Sequence, residues 1–160
     1  MKKIALILLL CLILCSCGKG LSADDVALKA LELYSLPPIT QYIKTENEGS
    51  NGYISPENFA FLYTGEHEYL PEWELISDFR IVMSRSSSPF ELHVIRLFSS
   101  TDAEEIAKIL QKRADMIKYH NKTETSYLTY DPEVIVKGRY VILAVTEDNE
   151  AVKLLLRQLV

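Results

Sequence analysis

The run Tyr140-Val141-Ile142-Leu143-Ala144-Val145 has no polar side on which to meet water. An extended segment turns alternate residues to opposite faces, so both faces of this one are apolar. It belongs inside a sheet that is covered on both sides along at least part of its length. Val134-Ile135-Val136 precedes it across Lys137-Gly138, where glycine takes the positive φ that a tight turn demands, and the two segments read as a hairpin. Packing must stabilise whatever forms around that strand. The three cysteines are Cys11, Cys15 and Cys17, which leaves no later thiol for a disulfide, a thiolate nucleophile or a metal cage.

A second hairpin is expected upstream. Phe79, Ile81 and Met83 recur at every second position after Trp73, Ser86-Ser87-Ser88-Pro89 breaks the run, and Phe90, Leu92 and Val94 resume it. Between the hairpins, Thr101-x-x-Glu104 has the form of a capping box. It opens a helix that places Ala103, Ile106, Ala107, Leu110, Ala114 and Ile117 on one face as far as about Tyr119. A last helix is predicted from about Asn149 to Leu159, capped by Asp148, with Ala151, Leu154, Leu155 and Leu159 inward.

Ahead of these, Ser22 caps a helix that has Asp25 in its first turn, carries Val26, Leu28, Ala30, Leu31 and Leu33, and ends before Pro37-Pro38. Ile39 to Ile43 reads as extended, and Lys44 to Gly52 as a mobile surface loop. Ser55 as cap, Pro56 at the first helical position, the stripe Phe59, Ala60, Leu62 and Tyr63, and Gly65 past the end mark a second short helix. The fold expected is α+β: one domain over residues 22–160, with an N-terminal helical segment. Its sheet is small, mainly antiparallel and of about four strands in two hairpins, with helices packed on it.

Residues 1–16 read as a secretory leader. Lys2 and Lys3 precede the apolar run Ile4 to Leu14, which is too short for the ~20 residues that span a bilayer. Leu14-Cys15-Ser16-Cys17 fits a lipobox, with cleavage between Ser16 and Cys17 and a diacylglycerol on the Cys17 sulfur. A two-chain anchor holds stably where one acyl chain only visits the membrane. Residues 17–21 are then a lipid-anchored tether, and the domain is expected on the outer face of a bacterial cytoplasmic membrane. Of 17 basic and 22 acidic residues, loss of Lys2 and Lys3 leaves 15 against 22, a net charge of −7. That sign disfavours nucleic acid and anionic headgroups as partners.

Candidate chemistry is sparse. His67 sits between Glu66 and Glu68 without a second histidine four residues on, and Pro71 breaks any helix there, so no metal site is expected. His93 alternates with Leu92 and Val94 and reads as a sheet-face histidine bonded to a neighbour, while His120 closes the long helix. Ser86-Ser87-Ser88 lacks the Gly-x-Ser-x-Gly elbow of a serine nucleophile. Several aromatics fall in or beside predicted loops, where a ring can stack on a glycan or anchor a peptide. Tyr63, Tyr69 and Trp73 are the candidate binding surface, with Tyr119, Tyr127 and Tyr130 also noted. No catalytic set and no cofactor is expected. The leading expectation is a non-catalytic binding or assembly module with an envelope protein, peptide or glycan as partner. The alternative is an envelope hydrolase using carboxylates such as Glu66, Glu68 and Glu91.

The order Glu91-Leu92-His93-Val94-Ile95-Arg96, a long helix, Lys137-Gly138-Arg139-Tyr140-Val141-Ile142-Leu143 and a terminal helix resembles a family of small Gram-positive lipoproteins known by a domain-of-unknown-function label. The similarity spans most of the mature chain. The family's corresponding strand is similar to Glu-Ile-Ala-Val-Phe-Lys; Glu91, Val94 and Arg96 keep its character, and His93 and Ile95 depart from it. The resemblance implies an extracytoplasmic lipid-anchored domain and carries over no catalytic residues.

Overall fold

The computed structural model describes residues 20–85, 89–123 and 130–159. The leader, the proposed cleavage and lipidation positions Ser16 and Cys17, the serines 86–88 and Tyr127 lie outside the described residues. In chain order the elements are α1 (Ala23–Leu31), β1 (Ile39–Ile43), α2 (Pro56–Thr64), a 3-10 turn (Pro71–Leu75), β2 (Ile76–Ser84) and β3 (Glu91–Leu97). A second 3-10 turn (Ser100–Asp102), α3 (Ala103–Thr123), β4 (Glu133–Lys137), β5 (Tyr140–Val145) and α4 (Asn149–Leu159) follow.

The sheet has five strands in the order β1-β2-β3-β5-β4, and every neighbouring pair is antiparallel. It is one strand wider than the two expected hairpins, because Ile39–Ile43 pairs with β2 and forms one edge. All six residues of β5 are buried, between β3 and β4. Helices cover both faces. Phe79, Ile81, Ile95, Val141, Leu143 and Val145 meet α2 and α3 on one side. Val82, Leu92, Val94, Ile142 and Ala144 meet α1 and α4 on the other.

The local signals explain most boundaries. Ser22 and Asp25 form a reciprocal capping box at α1, and Ser55 Oγ accepts the Asn58 N–H at 3.3 Å at α2. Gly65 ends α2 with φ 77°, a left-handed conformation that glycine adopts without steric cost. The long helix starts differently from its expected capping box: Ser99 Oγ accepts the Thr101 N–H at 3.2 Å, a 3-10 turn intervenes, and Glu104 pairs outward with Lys108. The β4–β5 turn is displaced by one residue as well. Lys137 pairs with Tyr140, so Gly138 (φ 56°) and Arg139 are its central residues. In α4, Asp148 Oδ1 accepts the Ala151 N–H at 3.0 Å as expected, but Val152 and Leu156 point inward and Leu154 is 53% exposed.

One irregularity shapes the end of the sheet. Ile76 pairs with Leu97 and Asp78 with Arg96, so Ser77 is an extra residue in β2. The bulge lets Ile76 and Phe79, three apart, both face α2 and α3.

Candidate functional site

The bulged end of the sheet opens into a cleft of about 540 Å³ whose lining includes Lys44, Tyr53, Trp73, Glu74, Ser77 and Phe98. These residues come from the ends of separate elements. Lys44 follows β1, Tyr53 closes the loop after it, Trp73 and Glu74 sit in the 3-10 turn, and Phe98 follows β3. Lys44 Nζ donates to the carbonyls of Trp73 at 2.9 Å and Ile76 at 2.6 Å, and lies 4.6 Å from the centre of the Trp73 ring. Burial pushes the Lys44 ammonium down in pKa, against the opposing pull of the Glu74 and Asp78 charges. The ammonium is thus held by two carbonyls and a ring face rather than left to solvent.

The loop from Lys44 to Gly52, expected to be a mobile surface loop, contributes Lys44, Thr45 and Glu46 to the lining. Its far end is fastened by the Ile43 N–H to Gly52 O bond at 2.8 Å and by a bridge between Ile43 and Tyr53. Gly52 has φ 86°, and a Cβ there would stand 3.0 Å from the Gln41 carbonyl oxygen, so glycine alone suits this approach. Phe98, which also lines the cleft, donates its N–H to Leu75 O at 3.1 Å and is 66% exposed.

A second polar assembly lies inside the core. Glu91 and His93, two apart on β3, face α2 and α3. Tyr63 Oη of α2 is 2.8 Å from His93 Nδ1, and both side chains are fully buried. Arg113 of α3 grips Glu91 through two bonds, Nη2 to Oε1 at 2.6 Å and Nε to Oε2 at 3.1 Å. His93 Nε2 stands 3.2 Å from Glu91 Oε2, out of line for a hydrogen bond. Tyr63 Oη and the Glu91 carboxylate thus flank the two ring nitrogens of His93. Burial opposes the Glu91 charge, but His93 and Arg113 outweigh it and hold the carboxyl down from 4.5 to about 2. Burial, reinforced by the Glu91 charge, pushes the Tyr63 phenol far up, so it keeps its proton.

Of the three aromatics expected to form one surface, Trp73 and Tyr69 lie at the cleft and Tyr63 does not. Tyr63 is a core residue, because the Ser55-capped register of α2 turns it onto the sheet beside Phe59. Trp73 packs partly on the core against Phe59 and Phe79 and offers its remaining surface to the cleft. Tyr69 is exposed and donates its hydroxyl to Glu74, on the cleft rim. Glu66, His67 and Glu68 are exposed after α2, with the His67 ring stacked on Phe61 at 4.2 Å. Among the described residues, no group of three or more His, Cys, Asp or Glu could hold a metal ion, and no helix is long and apolar enough to cross a membrane.

Sequence reasoning missed Lys44, Tyr53 and Phe98 as cleft residues. Phe98 carried the one available signal: it is a large apolar residue next to inward-facing Leu97 at a strand end, so period two turns it out. No family model, curated protein or solved structure matches this chain.

Proposed function

We propose that the protein is a lipid-anchored extracytoplasmic binding module, held on the outer face of the cytoplasmic membrane through a diacylglyceryl Cys17. The resemblance to small Gram-positive lipoproteins belongs to the same reading. Its recognition site is the cleft between Trp73 and Phe98. One observation carries this choice: the concavity combines exposed aromatic surface with a fixed cation and a carboxylate, Lys44 and Glu74. Rings stack on sugar or peptide faces, and a few placed polar groups fix orientation. A peptide or glycan of the envelope is the class of ligand that fits.

The arrangement of the carboxylates favours binding over hydrolysis. Glu91, the buried acid, is ionised by its two-bond pairing with Arg113 and so has no proton to give at neutral pH. Glu66 and Glu68 lie in the exposed segment that follows α2.

A photo-crosslinking amino acid placed at Tyr53 in the full chain, in growing cells, tests the site. The expected result is a discrete adduct that the same probe at Glu147, at the far end of the sheet, does not give. The same adducts from both positions, or a hydrolase activity abolished by Glu91→Gln, would contradict the reading.

A further inference from the structure

The chain enters the fold at the same end of the sheet as the cleft. Arg96 Nη1 donates to the carbonyls of Gly20 at 2.9 Å and Leu21 at 3.1 Å, and Tyr140 Oη donates to Leu21 O. The Ala23 N–H donates to Asp78 Oδ1 at 2.6 Å, and Asp78 is paired with Arg96 at 2.7 Å. Arg96 Nε reaches Ser77 Oγ at 3.1 Å, and Ser77 lines the cleft. One guanidinium therefore holds both the entering backbone and a cleft residue. Three peptide units separate Cys17 from Gly20, which span at most about 11 Å of fully extended chain.

From this we infer that the tether end of the sheet is a membrane-seating face, with Phe98 in the headgroup region and the cleft opening beside it. The inference rests on the lipid anchor proposed above. With the acyl chains in the bilayer and the backbone pinned at Gly20 and Leu21, the leash is shorter than the ~20 Å length of β3. The domain cannot turn its far end, around Glu147, to the lipid. Phe98 is 66% exposed, more than Val136 at 50% or Tyr69 at 47% near the same end, and a large exposed apolar side chain suits a membrane interface. Charge does not drive the seating. This end of the sheet mixes Lys44 and the turn residues Lys137 and Arg139 with Glu46 and Glu74, so contact is expected to persist in high salt.

Trp73 is the single tryptophan of the chain and lines the cleft, so it reports the seating directly. The full chain, processed in cells and purified from their membranes, is reconstituted into phosphatidylcholine vesicles with or without lipids carrying a headgroup nitroxide. Wild type is expected to float with the vesicles and to show quenched Trp73 emission, which high salt does not restore. A Trp73→Phe/Glu147→Trp variant is expected to float equally and show no quenching. Phe98→Ser is expected to float yet lose part of the Trp73 quenching. Flotation with no quenching of Trp73, or with equal quenching at both positions, would overturn the seating while leaving the anchor intact. Failure of wild type to float, or equal flotation of Cys17→Ala, would overturn the anchor and the seating with it.

Discussion

Tyr63 Oη and His93 Nδ1 stand 2.8 Å apart, two fully buried polar groups from α2 and β3 that satisfy each other inside an apolar layer. Removing the hydroxyl leaves the imidazole nitrogen without a partner where water does not reach. Tyr63→Phe keeps the ring volume and is expected to cost about 1–3 kcal/mol by urea denaturation. An unchanged midpoint would mean that His93 finds another partner.

Glu91 links the same layer to pH. Its carboxyl is held at about 2 in the fold and returns to its ordinary value of 4.5 in the unfolded chain. The unfolded state therefore binds more protons between those values. The contribution to stability is complete above the unfolded value and is lost as pH falls through the folded one. It is expected to be on the order of 3 kcal/mol, at about 1.4 kcal/mol per unit. Denaturation midpoints measured across that window should fall more steeply for wild type than for Glu91→Gln. Parallel profiles would contradict the pairing with Arg113.

The face that α3 presents to the sheet can be tested by charge. Leu110 is fully buried and Lys112 is exposed. Leu110→Asp is expected to cost about 3 kcal/mol or more, because it buries an unpaired carboxylate or opens the packing. Lys112→Asp is expected to change stability by less than about 0.5 kcal/mol. Equal denaturation midpoints would place the wrong face inward.

The last helix supplies a sharper comparison, since two leucines two positions apart differ completely in burial. Leu156→Lys is expected to destabilise by about 3 kcal/mol or more, and Leu154→Lys to change little. Chemical denaturation of both variants decides it, and a costly Leu154→Lys would refute the assigned phase.

The inward phase of this helix is legible in the residues once Leu154 is set aside. Val152, Leu155, Leu156 and Leu159 follow the i, i+3, i+4, i+7 spacing of one helix face, whereas Leu154 falls between its turns. Strong periodic signals located both hairpins, α3 and the doubly buried β5, because a continuous apolar strand has few places to go. Local caps at Ser22, Ser55 and Asp148 were equally readable. Contacts that join distant segments were not. Tyr63 looked like a loop-edge aromatic until α2 docked on the sheet, and the cleft needs Lys44, Trp73 and Phe98 from three separate places in the chain. The edge pairing of β1 likewise depends on β2 offering a free partner, which no local pattern in Ile39–Ile43 announces.

The lipid anchor is tested most directly by the mass of the N-terminal tryptic peptide of the protein isolated from cell membranes. The expected product is Cys17-Gly18-Lys19 carrying a diacylglyceryl thioether, and it should vanish in Cys17→Ala. A peptide that begins at Met1, or one that begins elsewhere and carries no lipid, would contradict the anchored reading and everything built on it.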